Sequence, residues 1–246
     1  MQKVIFAWSG GKDSSYALWQ TLQDPNFEVV ALMTTYNIDL QRVSMHGTHI
    51  DLTRKQAQSI GLPLIEMTVS ESTNTHYEEQ MRKVLEEYKG KHNIAGVVFG
   101  DIFLEDLRTY RENNLAQVDL KGFFPLWKKD THELSKAFIA AGFKTRICCV
   151  SDAYLNEAHV GQDYDHNFLS SLPAEVDPCG ENGEFHSFCY DGPIFSEPIQ
   201  IENGEKVYKE LEAKYITEES LVRGFYYVEI SDKSKVVLSL ILSKTK

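Results

Sequence analysis

The apolar run Val4-Ile5-Phe6-Ala7-Trp8, followed at once by Ser9-Gly10-Gly11-Lys12-Asp13-Ser14, constrains this chain more than any other stretch. Such a run reads as a buried strand, and glycines that end it and open a helix build a seat for phosphate. The helix start offers unpaired backbone N–H groups and the positive end of the macrodipole, so an anion needs no dedicated pocket. Gly10 and Gly11 let the backbone approach that anion, and Lys12 adds a full positive charge. Ser14 and Ser15 bring short hydroxyls to the first helical turn, and Asp13 is placed to hold a metal or a water.

Two familiar phosphate loops are excluded by spacing. A Walker loop needs a glycine five residues before its Gly-Lys pair, and Phe6 stands there. A dinucleotide fingerprint needs a third glycine after the turn, where Ser14 and Ser15 stand instead. The SGGxDS form resembles the PP-loop of ATP pyrophosphatases, enzymes that split ATP into AMP and pyrophosphate. The plain alternative is a strand-to-helix turn with no ligand. Ser9, Lys12, Asp13 and Ser14, all in place behind a strand, argue against it.

The rhythm around the loop predicts the frame. Strands are expected at 3–8, 28–35, 64–67 and 94–99, and helices at 13–22, 49–60, 74–90 and 103–114. Ala17, Leu18 and Leu22 are expected to face the sheet. This β-α-β-α order implies an α/β fold, a doubly wound parallel sheet with right-handed crossovers. Ligands of such sheets sit beyond the carboxyl ends of the strands at the switch point, which puts Ser9–Ser14, Thr34–Asn37 and Gly100–Asp101 on one rim. Arg108 and Arg111 follow on the next helix, spaced to share a face; a solvated charged helix is the alternative. After Pro125 the pattern changes to a helix near 131–141, a strand near 144–150, and later strands at 198–201, 225–230 and 235–243. Glu202-Asn203-Gly204 reads as a hairpin turn. The expected domains are 1–125, which binds the nucleotide, and 126–246, a smaller α+β substrate domain.

Composition narrows the partners. The 246 residues carry a net charge of −11, and the longest basic cluster, Lys128-Lys129, is followed at once by Asp130, so a nucleic-acid substrate is not expected. Cys148 and Cys149 are adjacent, and Cys179 and Cys189 complete no CxxC pair, which suits a reducing cytoplasm. Cys179 and Cys189 flank His186 without the spacing of a metal site. No run is long and apolar enough for a membrane span, and Met1-Gln2-Lys3 leads straight into a strand with no signal-peptide pattern.

The second concentration of chemistry is Asp177-Pro178-Cys179-Gly180-Glu181-Asn182-Gly183-Glu184-Phe185-His186, continuing to Tyr190-Asp191-Gly192-Pro193. Its breakers force turns, and its ionisable groups either cap those turns or have a task. With this loop the chain resembles the diphthine–ammonia ligase family of PP-loop ATPases. The matching stretches are Phe6 to Trp19, Met45-His46-Gly47, Phe99 to Arg108, Tyr110-Arg111-Glu112, Pro125-Leu126-Trp127 and Asp177 to Pro193. The resemblance implies an ATP domain of the HUP type (a Rossmann-like PP-loop domain) and a smaller domain carrying the substrate loop. The chain, ending at Lys246, resembles the short microbial members, which occur in bacteria as well, where the diphthamide pathway is absent.

The resemblance further implies that a substrate carboxylate attacks the α-phosphorus of ATP, giving an acyl-adenylate that ammonia converts to an amide. Ser9, Gly10, Gly11, Lys12, Asp13, Ser14, Ser15, Thr34, Gly100 and Asp101 are then the expected ATP-binding set, with adenine on the Met33–Thr35 backbone. Asp13 or Asp101 is the expected ligand for Mg²⁺. Lys12 and Asp13 with Glu181, Glu184 and His186 are the expected catalytic residues, the last three orienting ammonium and taking its proton. Arg108, Arg111, Asn182, Tyr190 and Asp191 are expected to bind substrate; Trp127, Phe185 and Tyr190 suit the quaternary ammonium of diphthine. The expected partners are a carboxylate substrate, as on a protein like elongation factor 2, and free ammonium, since no glutaminase segment accompanies the loop. A homodimer is compatible with this reading. A tRNA-modifying PP-loop ligase and a non-catalytic adenine-nucleotide sensor are the rival readings; the first lacks a basic face, and the second has no use for the Asp177–Asp191 cluster.

Overall fold

The computed structural model describes residues 1–44, 46–70, 74–212, 216 and 221–233. Strand β1 (Gln2–Ala7) buries Val4, Ile5 and Phe6 completely, as an apolar run in the middle of a sheet must. It feeds α1 (Lys12–Gln23), then β2 (Phe27–Asn37), the short β3 (Arg42–Val43), α2 (Ile50–Ile60) and β4 (Leu64–Val69). Helix α3 (Asn74–His92), β5 (Gly96–Val98), α4 (Glu105–Ala116) and β6 (Lys121–Phe123) complete the first layer system. Gly61 closes α2 in the left-handed conformation at φ 81°, the role its Gly-Leu-Pro context predicts. On α1, Leu22 is 47% exposed and Thr21 is buried in its place, its hydroxyl satisfied by the carbonyl of Ala17 at 2.7 Å.

The sheet path runs β3-β2-β1-β5-β6, with β4 parallel to β2 at the far side. From β1 the chain steps to β2 and β4 in one direction and returns to β5 and β6 in the other, so the order reverses at β1. All pairings except β2 with β3 are parallel. The α/β, doubly wound arrangement expected from the sequence is present, and the crevice of its switch point opens where β1 and β5 end, at Ser9 and Gly100.

Helix α5 (Thr131–Ala140), β7 (Lys144–Ser151), α6 (His166–Ser171), β8 (Phe185–Asp191), β9 (Ile201–Glu210) and β10 (Gly224–Asp232) make the second half. Its four strands form an antiparallel sheet in the order β8-β7-β10-β9. The hairpin expected at Asn203-Gly204 is absent: β9 runs through it, and the register against β10 slips there, Ile230 facing Asn203 while Val228 faces Lys206. One extra residue on β9 makes this a bulge, the other use of a glycine inside a strand. The strand expected at 235–243 lies outside the described residues. One apolar cluster joins the halves, with Phe6, Tyr16 and Leu18 of the first packed with Phe138, Ile147 and Phe188 of the second.

Candidate active site

The glycine loop is held by the second sheet. The N–H of Cys189 on β8 donates to the carbonyl of Gly10 at 2.8 Å, and the N–H of Lys12 donates to Ser187 Oγ at 3.2 Å. Gln56, fully buried on α2, donates from Nε2 to the carbonyls of Gly10 (2.9 Å) and Cys189 (2.6 Å) and accepts from Trp8 Nε1 (3.0 Å). Gly10 takes φ +78°, and a Cβ there would collide with the Gln56 side chain. Gly11 precedes α1 with no side-chain cap; Ser187 takes the Lys12 N–H, and those of Asp13 and Ser14 keep the dipole end available to an anion. Ser9 Oγ donates to Ser14 Oγ at 3.0 Å, and Ser14 and Ser15 hydroxyls return to the carbonyl of Gly11.

Across the crevice stands the 177–187 loop, folded about two carboxylates. Asp177 accepts from the N–H of Cys179 (2.8 Å) and from Thr131 Oγ1 (2.7 Å), which ties the loop to the start of α5. Glu184 is 1% exposed and accepts from Asp177 N (3.0 Å), Asn182 N (2.9 Å) and Asn182 Nδ2 (3.0 Å). Glu181 reaches the other way: its Oε1 accepts from the N–H groups of Ile102 (2.9 Å) and Phe103 (3.2 Å), just before α4.

Between these walls lies a cleft of about 520 Å³. Ser9, Lys12, Asp13 and Ser14 line one side, Phe99, Gly100, Asp101 and Arg111 a second, and Glu181, Asn182, His186 and Ser187 a third. Ser44 and His46, from the segment between β3 and α2, close the fourth. Lys12 is 3% exposed, pairs with Asp13 at 2.6 Å, and lies 5.6 Å from the ring centres of both Tyr164 and Phe185. Asp101 and Arg111 pair at 2.7 Å, with the guanidinium over Phe99.

The electrostatics follow from packing three carboxylates and two imidazoles into one recess. Burial works against the charge of Lys12, but Asp13 with Cys179 and Glu181 outweighs it, so its pKa stands above the ordinary value. Burial, with Asp13 adding, pushes Glu181 up to about 7 against the two amides that favour its charged form. Asp101 is likewise raised, by burial first, with Arg111 opposing. His186 falls to about 3, through burial, then His46 and Lys12. His46 is lowered too, chiefly by burial, against its bond to Ser187. Burial thus favours the neutral form of both imidazoles.

Several expected site residues stand elsewhere. Thr34 is buried beside the crevice rather than lining it, and the carbonyls of Met33 and Thr35 already accept from Trp8 and Ser44. Ser15 serves the loop's own fold. Glu184 does not face the cleft; its oxygens hold the loop's N–H groups. Arg108 does not share the inner face with Arg111: it pairs with Glu112 at 2.9 Å and lies over Phe124 and Trp127. Tyr190 bonds Asp163 and Asp191 pairs with Lys144, both farther along β8. At about 3.3 Å per residue, four residues carry Tyr190 roughly 13 Å from His186. His46 lines the cleft, and its one signal in the sequence is the part that Met45-His46-Gly47 has in the family resemblance.

A phosphate loop at the switch point of a doubly wound sheet, facing a carboxylate- and imidazole-lined cleft, defines a PP-loop type of ATP-using enzyme. The chain belongs to the diphthamide synthase family: residues 2–121 match the diphthamide synthase N-terminal domain and residues 130–222 its C-terminal domain. Similar curated proteins are the diphthine–ammonia ligases of Homo sapiens, 27% identical, and Mus musculus, 28% identical, each aligned over 83% of this chain and 85% of theirs. The Saccharomyces cerevisiae diphthine–ammonia ligase is 27% identical over 78% of this chain and 33% of its own length. Among solved structures, the U34-tRNA thiolase NcsA from Methanococcus maripaludis aligns over 56% of each chain at 18% identity and a TM-score of 0.33, a likeness too slight to argue from.

Proposed function

We propose that this chain is an ATP-dependent ligase that amidates a carboxylate with ammonia, releasing AMP and pyrophosphate, with diphthine on an elongation factor 2-like protein as the substrate. One observation carries the reading: the phosphate loop and the acid- and imidazole-bearing loop line a single cleft. A sensor needs only the first, whereas a ligase must bring an activated acid and a nucleophile to one place.

The α1 N-terminus, Lys12 and Ser14 stabilise the charge that grows on the departing pyrophosphate. Gly100, whose Cβ would lie 3.0 Å from Ser14 N, keeps the β5 side of the crevice open to the nucleotide. Arg111, fixed by Asp101, presents its guanidinium to a phosphate or to the substrate carboxylate. Asn182 borders the same space for substrate. Ammonium must lose a proton before it attacks, and Glu181 and His186 are the ionisable groups of the 177–187 loop that border the space where it does so. Residues 1–125 form the ATP domain and 126–246 the substrate domain in this reading.

Mg²⁺ fits the donor set. Asp13 and Asp101 offer hard carboxylate oxygens on two walls of the cleft, and this ion takes one or two carboxylates together with phosphate and water. When bound, it neutralises phosphate charge. Among the described residues no cluster of three or more His, Cys, Asp or Glu forms a closed cage.

No helix of the described residues is long and apolar enough to cross a membrane; a cytoplasmic setting is proposed on the unpaired cysteines. The test is an assay of purified protein with ATP, ammonium and diphthine-bearing elongation factor 2. Amide, AMP and pyrophosphate in equal amounts support the reading. Nucleotide binding without turnover would leave a sensor.

A further inference from the structure

The Ser187 carbonyl decides the state of a histidine. His46 Nδ1 lies 2.9 Å from it, and a carbonyl only accepts, so Nδ1 carries the ring proton and Nε2 of the neutral ring carries a lone pair. The ring of His186 stands beside it, centres 5.0 Å apart and planes tilted by 41°, and its Nε2 is buried with no hydrogen-bond partner among the described residues. Buried polar atoms are nearly always partnered, so this one, on a side chain that lines the cleft, has a bond to offer a ligand. Both rings line the cleft that holds the phosphate loop.

We infer that His46 and His186 form the seat in which ammonium binds and sheds its proton, with His46 Nε2 as the acceptor. The inference rests on the ligase reading above. A small ligand with several N–H donors and no apolar part suits two neighbouring acceptor nitrogens, and an acceptor at His186 Nε2 requires the Nδ1–H tautomer of that ring. The desolvation that keeps both rings neutral also favours NH₃ over NH₄⁺ at the seat. Lys12 and Asp13 on α1 act on His46 with opposite signs, so neither charge alone governs it. In the step, NH₄⁺ gives one proton to His46 Nε2, and the freed lone pair attacks the acyl carbon of the adenylate. A C–N bond forms, the bond from acyl carbon to phosphate oxygen breaks, and AMP leaves with that electron pair. The second proton leaves the new nitrogen for the AMP phosphate or water.

The His46 ring packs against Gly11 but bonds the Ser187 carbonyl rather than the phosphate loop, so its loss is separable from loss of activation. We would compare wild type, His46→Asn and Glu181→Gln for pyrophosphate release and for capture of the acyl group by ammonium and by hydroxylamine, which is uncharged at neutral pH. Asn keeps a donor for the Ser187 carbonyl and removes the base. The expected result is a fall of about 10²-fold or more in amide formation with ammonium, with pyrophosphate release and hydroxylamine capture kept. Ammonium use unchanged in His46→Asn, or lost only in Glu181→Gln, overturns the seat. Equal loss of all three activities in His46→Asn makes the residue structural and overturns it as well. A wild type that releases no pyrophosphate overturns the ligase reading itself. Should His46→Asn not fold, the nitrogen-15 shifts of His46 in the wild type decide: a bare Nε2 at neutral pH is expected, and a protonated Nε2 contradicts the assignment.

Discussion

Gln56 holds Gly10 in place: its buried amide donates to the Gly10 carbonyl at 2.9 Å, and from the same nitrogen to Cys189 on the second sheet. The phosphate loop is thus positioned by a side chain 46 residues away, from a helix none of whose residues lines the cleft. Gln56→Leu would keep the volume and take this partner from the Cys189 carbonyl and the Trp8 indole, leaving the Gly10 carbonyl with the Cys189 N–H alone. Leaving such groups buried costs about 1–3 kcal/mol each before relaxation, so a loss on the order of 3 kcal/mol is expected in urea unfolding. The KM for ATP should rise with it.

Gly11 adopts φ −87°, an ordinary conformation, so its glycine is required by space rather than by strain. A Cβ would lie 2.6 Å from His46 Cε1 and 3.1 Å from the Ser187 carbonyl. Gly11→Ala should therefore fold and displace the His46 ring. Because ångström-scale misplacement can cost about 10²-fold in rate, amide formation should fall by that order while the melting temperature shifts little.

These two cases show how far the sequence carries. The strand, the two glycines and the helix start are local, and so is the rhythm that sends the chain back across β1; both are written in consecutive residues. His46 and Gln56 reach the loop only through tertiary packing, and neither lies at a spacing that points there. Glu184 is ambiguous for a different reason: a carboxylate among turns looks the same whether it serves chemistry or the N–H groups of its own loop, and its burial on those N–H groups is visible only in the fold. Asn203-Gly204 carries the composition of a turn, yet a strand with a bulge uses the same glycine.

Glu184 is accordingly expected to matter for stability. Glu184→Gln would turn an N–H donor toward donors already present at Asp177 and Asn182 and cost on the order of 2–3 kcal/mol. A lowered melting temperature, with turnover per folded molecule largely kept, is the expected pair of measurements. Unchanged stability with lost turnover would return Glu184 to the chemistry.

Glu181 gives the fold a pH signature. Its pKa rises from 4.5 unfolded to about 7 in the native protein, through burial first and then Asp13. Between those values the native state holds more protons than the unfolded one, so this group's contribution to stability declines as pH rises through the window. Glu181→Gln should remove that slope, a difference on the order of 1–3 kcal/mol in unfolding free energy between pH 4.5 and 7.5. Parallel pH profiles for variant and wild type would contradict it.

The central claim is that the carboxylate attacks the α-phosphorus of ATP in this cleft. Substrate labelled with oxygen-18 in the acid group tests it directly, with the products read by mass spectrometry. Attack at the α-phosphorus transfers one labelled oxygen to AMP for each amide formed, and that is the predicted result. Label found in inorganic phosphate, with ADP as the nucleotide product, would contradict it.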